Sequence, residues 1–222
     1  MSCLLIHSYY SSRMPTETLI LIGAGGHAKV VMGALNIMGK TFSVEVRDDN
    51  PALNGQLLLE CKIKTPVGSV AGLTDRIHLA IGDNEARKRL GGAILEARKS
   101  LITIIHPRAT VSAAARIGDG VFLAAGTIVA PDATVAQGTI VNHGAIIDHD
   151  CQIEAWAHIA PGAVLGGAVH IGEGCLVGSG AVVLPGLSVG DWAVIGAGAV
   201  VTKDVEAGAN VAGIPAKVLK GR

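Results

Sequence analysis

An aliphatic residue returns at every sixth position from Val111 to Val201, and this period constrains the fold more than any other feature of the chain. All sixteen positions hold Val, Ile or Leu. A helix repeats near 3.6 residues and a strand near 2, so neither explains a period of six. Short strands wound into a three-sided coil do explain it, with one hexad per side and one aliphatic residue pointing to the axis. The period therefore predicts a parallel β-helix.

The fifth residue of each hexad supports the same fold. In the fifteen hexads that start at Val111 it is Ala, Cys, Thr or Val, with Leu187 as the exception. Small residues here let a narrow prism close, and Cys151 and Cys175 are predicted to be core residues. Three hexads make one coil, so residues 18 apart should stack and the stretch should form about five coils.

The residues before the hexads alternate between strand and helix patterns. Strands are predicted at 18–22, 42–47, 77–81 and 101–105, and helices at 29–38 and 85–99, with Asn84 as the N-cap of the second helix. This order predicts a small parallel sheet flanked by helices. We therefore divide the chain into an N-terminal extension (1–17), an α/β Rossmann-like domain (18–107), a β-helix (108–210) and a C-terminal tail (211–222). The tail should leave the prism, because Pro215 opposes regular strand pairing.

The first strand ends in a glycine-rich turn, GAGGHA, directly before a helix. Backbone N–H groups at a helix N-terminus favour a phosphate or another anion. The second strand ends in two aspartates, where a Rossmann unit places an acid for a ribose hydroxyl. The turn predicts a site for one nucleotide diphosphate or its sugar, and the alternative is that the glycines only make a tight turn. The residues in this pattern are Gly23, Gly25, Gly26, His27, Asp48 and Asp49.

Polar residues interrupt the hexads most densely in the run NHGAIIDHDC at 142–151. His149 lies between Asp148 and Asp150, which suits a general base whose second ring nitrogen is held by a carboxylate. One coil later the stacked residue is Gly167, which leaves space for a ligand beside the ring. His158, half a coil away, is a second functional candidate.

Composition narrows the possible ligands and compartments. The chain has 18 basic and 18 acidic residues and 3% aromatic residues, which disfavours nucleic acid as a partner. No apolar run approaches the ~20 residues of a membrane span. The four cysteines form no CxxC pair, which favours a reducing cytoplasm over a secreted disulfide framework and suggests no zinc ligand set. Residues 1–13 are expected to be a loose extension without a signal peptide, with Met14 as a possible start.

Several stretches of the chain resemble the NeuD/PglD-type sugar acyltransferases of the hexapeptide-repeat superfamily. They are GAGGHAKVV, the Asp48-Asp49 pair, AIGDNEARKR, NHGAIIDHDC, AHIAPGA and VAGIPAK, and together they cover residues 18–219 in order. The resemblance implies a Rossmann-like domain, a left-handed β-helix and a homotrimer. It also implies acetyl-CoA as co-substrate between neighbouring β-helices, a nucleotide-linked amino sugar on the glycine loop, an active site at a subunit boundary, and no metal.

The resemblance also assigns roles to individual positions. His149 matches the catalytic base and Asp150 the carboxylate beside it. His143 departs from the family pattern, because relatives more often carry a small residue there, and an extra ring could narrow the acceptor pocket. The substrate and acetyl-CoA contacts implied are His158, Gly167, Asn142 and His143.

These expectations describe an acetyl-CoA-dependent N-acetyltransferase that acts by direct transfer on a nucleotide-linked 4-amino sugar, with UDP favoured over GDP. The first alternative is O-acetylation of a sialic-acid-type acceptor. A γ-carbonic-anhydrase-like metalloenzyme would need about three convergent ligands. A non-enzymatic scaffold would have no reason to interrupt its hexads with His and Asp together.

Overall fold

The computed structural model describes residues 17–38, 42–73 and 76–219. The predicted extension, with Cys3, His7 and Met14, lies outside the described residues apart from Glu17, and so do residues 220–222. The chain forms an α/β domain followed by a parallel β-helix, which confirms the fold class expected from the sequence.

In its described residues the α/β domain contains two α-helices and one sheet, with short 3₁₀ turns at Pro51–Leu53 and Val70–Gly72. Its elements are β1 (Glu17–Ile22), α1 (Gly26–Ile37), β2 (Phe42–Arg47), β3 (Leu57–Leu58), β4 (Cys61–Lys64), β5 (Arg76–Leu79), α2 (Asn84–Glu96) and β6 (Ser100–Leu101). The sheet order is β3-β4-β2-β1-β5-β6, and every pair is parallel except β3 with β4. The apolar run of β1 is buried from Leu19 to Ile22, as expected for a central parallel strand covered on both faces.

Three details of this domain differ from the sequence expectations. The short strands β3 and β4 were not predicted, because two to four residues show no usable period. The N-cap of α2 is Asp83, whose Oδ1 accepts a hydrogen bond from Ala86 N at 2.7 Å. The prediction of Asn84 as the cap is wrong, since Asn84 is the first helical residue and its side chain reaches the β-helix. The predicted strand 101–105 is two strands, β6 and β7 (Ile104–Ile105), in different sheets.

Short strands form the rest of the chain. They are β7 Ile104–Ile105, β8 Thr110–Val111, β9 Arg116–Ile117, β10 Phe122–Leu123, β11 Ile128–Val129, β12 Thr134–Val135, β13 Ile140–Val141, β14 Ile146–Ile147, β15 Gln152–Ile153, β16 His158–Ile159, β17 Val164–Leu165, β18 His170–Ile171, β19 Leu176–Val177, β20 Val182–Val183, β21 Ser188–Val189, β22 Val194–Ile195, β23 Val200–Val201, β24 Asn210–Ala212 and β25 Lys217–Val218. Strands three apart pair in parallel from β7 to β23, and the paired residues are 18 apart. The predicted stacking is confirmed.

The β-helix has three faces. One is named for the domain that covers it, and the other two are named for the side chains that point outward. The covered face (β7, β10, β13, β16, β19, β22, with β24 and β25) lies partly under the α/β domain, whose core includes Phe122 and Ile140. The aliphatic face (β8, β11, β14, β17, β20, β23) and the polar face (β9, β12, β15, β18, β21) complete the prism. Outward residues of the aliphatic face are Thr110, Ile128, Ile146, Val164, Val182 and Val200, and those of the polar face are Arg116, Thr134, Gln152, His170 and Ser188.

The inside of the prism follows the hexad pattern. The aliphatic residues of the period from Leu123 to Val201 form one continuous buried column, to which Cys151 and Cys175 belong as predicted, and half-buried Val111 and Ile117 pack against its end. Each thiol donates to a backbone carbonyl, of Gly166 and Gly190 respectively. The expectation that the tail leaves the prism is wrong for residues 210–218, because β24 pairs with β22 and β25 pairs with β24. Pro215 lies in the turn between these two strands.

One large side chain joins the two domains. Trp156 lies at the corner between the polar and covered faces and packs against Gly91 of α2. A Cβ added at Gly91 would lie 2.1 Å from Trp156 Cη2, so only glycine lets the helix approach this closely. Neither described helix is long and apolar enough to cross a membrane.

Candidate active site

The glycine turn after β1 borders a cavity of about 300 Å³. Helix α1 follows this turn and begins at Gly26. No side chain caps its N-terminus, so the backbone N–H groups of its first turn remain open to an anion. Gly23 has a φ of +107°, and an added Cβ would lie 2.7 Å from Ala80 O, so the turn requires glycine here. The cavity is lined by Gly23, Ala24, Gly25, Gly26, His27, Asp48, Ala80, Ile81 and Gly82.

The two predicted aspartates have different environments. Asp48 lines the cavity, and its Oδ2 accepts from Ala24 N at 2.8 Å, which holds the turn. Asp49 does not line it, and its Oδ1 accepts from Val67 N at 2.9 Å. The sequence reasoning missed the segment from Ala80 to Gly82. The rule that carboxyl ends of parallel strands share one edge could have found it, because this segment follows β5, the neighbour of β1.

His27 turns from the glycine loop toward the β-helix. Its ring packs edge-on against Phe122, with centroids 5.2 Å apart, and lies 6.4 Å from the ring of His158. Burial lowers the pKa of His27 to about 3, with the nearby His78, His158 and Arg87 acting in the same direction. Among the described residues nothing hydrogen-bonds its buried Nε2. His27 is therefore neutral at physiological pH and lies between the two domains.

His158 points outward from the covered face and lies beneath the α/β domain. Its Nε2 is 3.3 Å from Asn142 Nδ2, and its ring also hydrogen-bonds the backbone of Gly82. Asn142 Oδ1 accepts from His143 N at 2.9 Å, which orients the amide so that Nδ2 faces the ring. Burial, followed by the charge of Arg87, lowers the pKa of His158 to about 4. A neutral ring with Nε2 as acceptor and the proton on Nδ1 satisfies both contacts.

A second cavity, of about 450 Å³, begins where the first one ends. Its β-helix wall carries His158, Leu176 and Val194, which stack at 18-residue intervals on the covered face. Its other wall is the start of α2, and Gly82 lines both cavities. The complete lining is Gly82, Asp83, Asn84, Glu85, His158, Gly174, Leu176, Trp192 and Val194. The two cavities therefore meet at Gly82, next to His158.

His149 lies at the corner between the aliphatic and polar faces. Its Nδ1 is 2.8 Å from Asp150 Oδ2, and its backbone N donates to Asp148 Oδ1 at 2.8 Å. The hydrogen bond from Asp150 and then the charge of Asp148 raise the pKa of His149. A Cβ added at Gly167 would lie 2.5 Å from His149 Cε1, so the ring rests on that glycine as the stacking predicts. The side chain of His149 is 60% exposed and its free nitrogen is open to solvent.

One chain does not bring all the predicted site residues together. The corner that carries His149 and Asp150 lies opposite the covered face, because each corner of a three-sided prism faces the third side. Asn142 and exposed His143 lie at another corner, between the covered and aliphatic faces. One chain thus carries two separate clusters, one that contains His149 and Asp150 and one that contains Asn142 and His158.

The histidines are also too dispersed to converge on a metal ion. His143, His149 and His158 lie on two different corners and one face of the prism. Within residues 17–38, 42–73 and 76–219, no group of three or more His, Cys, Asp or Glu side chains is placed to hold a metal.

Comparison with known proteins connects this geometry to a family. The PglD N-terminal domain family matches residues 18–92, and the GMPPB C-terminal domain family matches residues 100–191. A variant of perosamine N-acetyltransferase from Caulobacter crescentus, solved with CoA and GDP-perosamine, is 35% identical with a TM-score of 0.86. That alignment covers 92% of this chain and 97% of the Caulobacter chain.

Two further relatives agree. The acetyltransferase domain of PglB from Neisseria gonorrhoeae, solved with acetyl coenzyme A, is 36% identical with a TM-score of 0.83. That alignment covers 91% of this chain and 98% of the Neisseria chain. UDP-N-acetylbacillosamine N-acetyltransferase from Bacillus subtilis is 33% identical over an alignment of 124 residues, and the match covers 49% of this chain. The match spans about half, 52%, of the length of this curated relative.

Proposed function

The chain belongs to the NeuD/PglD-type family of sugar acetyltransferases, and we propose that it transfers the acetyl group of acetyl-CoA to the amino group of a nucleotide-linked 4-amino sugar. The observation that carries this proposal is that Gly82 lines both cavities and that His158 lines the second one. One cavity offers free helix N–H groups to a diphosphate, and the other offers an apolar tract to an acyl carrier. The two substrates would then meet where the cavities join.

The acceptor belongs in the glycine-turn cavity. Its diphosphate would accept hydrogen bonds from the N-terminal turn of α1, as anions do at an uncapped helix start. The sugar would extend toward His27 and His158. We take a UDP-linked sugar as the first candidate and a GDP-linked sugar as the second, since the Bacillus relative is named for a UDP-linked sugar and the Caulobacter relative was solved with GDP-perosamine.

The donor belongs in the second cavity. Leu176 and Val194 form an apolar strip that runs along the β-helix axis from His158. Such a strip suits the pantetheine arm of acetyl-CoA, the ligand in the Neisseria relative, with the thioester next to His158. Acetyl-CoA is therefore the expected co-substrate.

The base must come from a second copy of the chain. The aliphatic face exposes a ladder of Val and Ile, with Ile128 at 40% exposure, and such a patch marks a protein interface. One edge of this face carries Asn142 and the other carries His149. Three copies with their aliphatic faces turned to a threefold axis would bring the Asn142 corner of each copy against the His149 corner of the next. We therefore propose a homotrimer with three shared active sites.

The proposed chemistry is direct transfer. His149 accepts a proton from the acceptor amine as its nitrogen bonds to the carbonyl carbon of the thioester. The carbon–sulfur bond then breaks, and the proton on His149 passes to the departing thiolate. Asp150 holds Nδ1 and raises the basicity of the ring, and general base catalysis of this kind contributes ~100 to 10,000-fold.

Thiol release tests this function. The purified protein is given acetyl-CoA with UDP- and GDP-linked 4-amino sugars and with free sialic acid, and His149→Ala is assayed beside it. Release with one nucleotide amino sugar, lost in the variant, supports the proposal. Release with sialic acid alone would move the assignment to O-acetylation, and no release with any acceptor would refute acetyl transfer.

The free thiols Cys151 and Cys175 suit a reducing compartment, so we place the reaction in the cytoplasm.

A further inference from the structure

Arg87 on α2 is a buried cation with an unusual set of partners. Its side chain is 1% exposed, and no carboxylate of the described residues forms an ion pair with it. Every acceptor around the guanidinium is a neutral oxygen from the main chain or an amide. These acceptors are the carbonyls of Gly138, Ile81, Gly82, Trp156 and Ala157 and the Oδ1 of Asn84, at 2.7 to 3.3 Å.

Stability alone does not explain such a residue. Burying a charge without an opposite charge is unfavourable, and replacing buried ions with apolar residues often leaves a protein as stable or more stable. Burial lowers the pKa of Arg87 to about 10, which leaves it charged at neutral pH. Its burial is therefore better explained by a role in the site that it borders.

The carbonyls that Arg87 holds lie on both sides of His158. The Gly82 carbonyl, 3.3 Å from Nη1, belongs to the segment that lines both cavities and hydrogen-bonds the His158 ring. The Ala157 carbonyl, 3.2 Å from Nη2, directly precedes His158 on β16. One rigid guanidinium thus binds the α/β domain and the β-helix at the point where the cavities meet.

We propose that Arg87 is a positioning residue for acetyl transfer, which fixes Gly82 and His158 relative to each other and thereby sets the tautomer of the His158 ring. With Asn142 Nδ2 facing Nε2 at 3.3 Å, the neutral ring keeps a lone pair on Nε2 and carries its proton on Nδ1. The positive charge of Arg87 also opposes protonation of His158. This inference rests on the function proposed above.

Other titratable groups face this cluster. They are His27 on α1, His78 on β5, Asp83 at the start of α2, and His143 at the neighbouring corner. His27 and His78 are neutral at physiological pH, since their pKa values fall to about 3 and about 4 through burial. The charge that lowers the pKa of His158 is that of Arg87.

The test compares Arg87→Lys and Arg87→Met with Arg89→Met, an exposed arginine on the same helix. Lysine keeps the charge but not the planar fork, so Arg87→Lys should lower kcat on the order of 100-fold through misplacement of His158. The KM for each substrate should change far less, and Arg89→Met should match the wild type. If Arg87→Met does not fold, Arg87→Lys still decides the outcome.

Nitrogen-15 spectra of histidine-labelled protein without substrates give a second measurement, with His158→Gln used to assign the signals. Wild-type His158 should stay neutral with its proton on Nδ1 from about pH 5 to 8, whereas Arg87→Lys should show both tautomers. If Arg87→Lys loses activity but its His158 signals match those of the wild type, Arg87 is only a structural anchor and the proposal is wrong. Wild-type activity in Arg87→Lys would also overturn the proposal. These spectra need no acetyl transfer, so they test the inference even if the proposed function fails.

Discussion

Mixing two inactive variants tests whether the active site is shared between copies. His149→Ala removes the proposed base at one corner of the aliphatic face, and His158→Ala removes a ring that lines the second cavity on the covered face. Each variant alone should be inactive or nearly so. In a mixed trimer, however, an intact His149 corner of one copy can meet an intact His158 cluster of the next.

The proposed trimer sets the size of the effect. At equal amounts of the two variants, half of the copies have an intact His149 and half of their neighbours have an intact His158, so random assembly restores about a quarter of the wild-type activity per active site. Co-expression with two different affinity tags and purification through both tags removes the unmixed trimers. Each mixed trimer has one intact boundary of three, so thiol release from acetyl-CoA should then reach about a third of the wild-type activity per active site.

The control is the same mixture made from separately purified trimers that are not allowed to exchange. It should remain inactive, since no new boundary forms. If co-assembled trimers are also inactive while each variant still binds acetyl-CoA, base and cavities do not meet across a boundary and the proposed assembly is wrong.

Four other predictions follow from single contacts. Asp150→Asn should move the acidic limb of the kcat/KM profile to lower pH. The variant removes the hydrogen bond that raises the pKa of His149, so the neutral ring persists in more acid solution. An unchanged acidic limb would contradict this. Gly167→Ala should lower kcat by displacing the His149 ring without unfolding the protein, whereas Gly33→Ala, with open space around it, should not. Gly91→Ala should destabilise the fold by about 1 to 3 kcal/mol through its clash with Trp156, while Gly92→Ala should be neutral or stabilising, as thermal denaturation would reveal. Ile146→Asp on the aliphatic face should dissociate the proposed trimer, and Gln152→Lys on the polar face should leave it intact, with light scattering as the measurement. An unaltered mass for Ile146→Asp would argue against the aliphatic face as the interface.

The sequence predicts the β-helix almost completely because its constraint is local and repeated. Each inward residue is either the aliphatic or the small member of a hexad, so the core follows from the pattern, including Cys151 and Cys175. The α/β domain is predicted less fully. Strands β3 and β4 are too short to show a period, and Asn84 looks like a helix cap until its amide is seen to donate to the carbonyls of Gly174 and Cys175. Contacts between domains leave no local signal.

The sequence likewise predicts only part of the candidate site. The glycine turn and Asp48 follow from a local motif, and the structure brings them into one cavity. Asp49 satisfies the same motif but hydrogen-bonds Val67 N instead, and this contact depends on a segment 18 residues away. Arg87 carried no sequence signal of its own, since an arginine on an amphipathic helix is usually exposed.

The spacing of the two key histidines already contains the argument for a shared site. His149 and His158 are nine residues apart, which is half of an 18-residue coil, and half a coil carries the chain from one corner to the opposite face. Residues that meet within one prism should instead lie close to a multiple of 18 apart, as His158, Leu176 and Val194 do, and as Asn142 and His158 do at 16 residues. His149, at the half-coil position, can therefore act only at the covered face of another copy. The period that builds the fold therefore also requires the assembly, provided that both histidines act in one reaction.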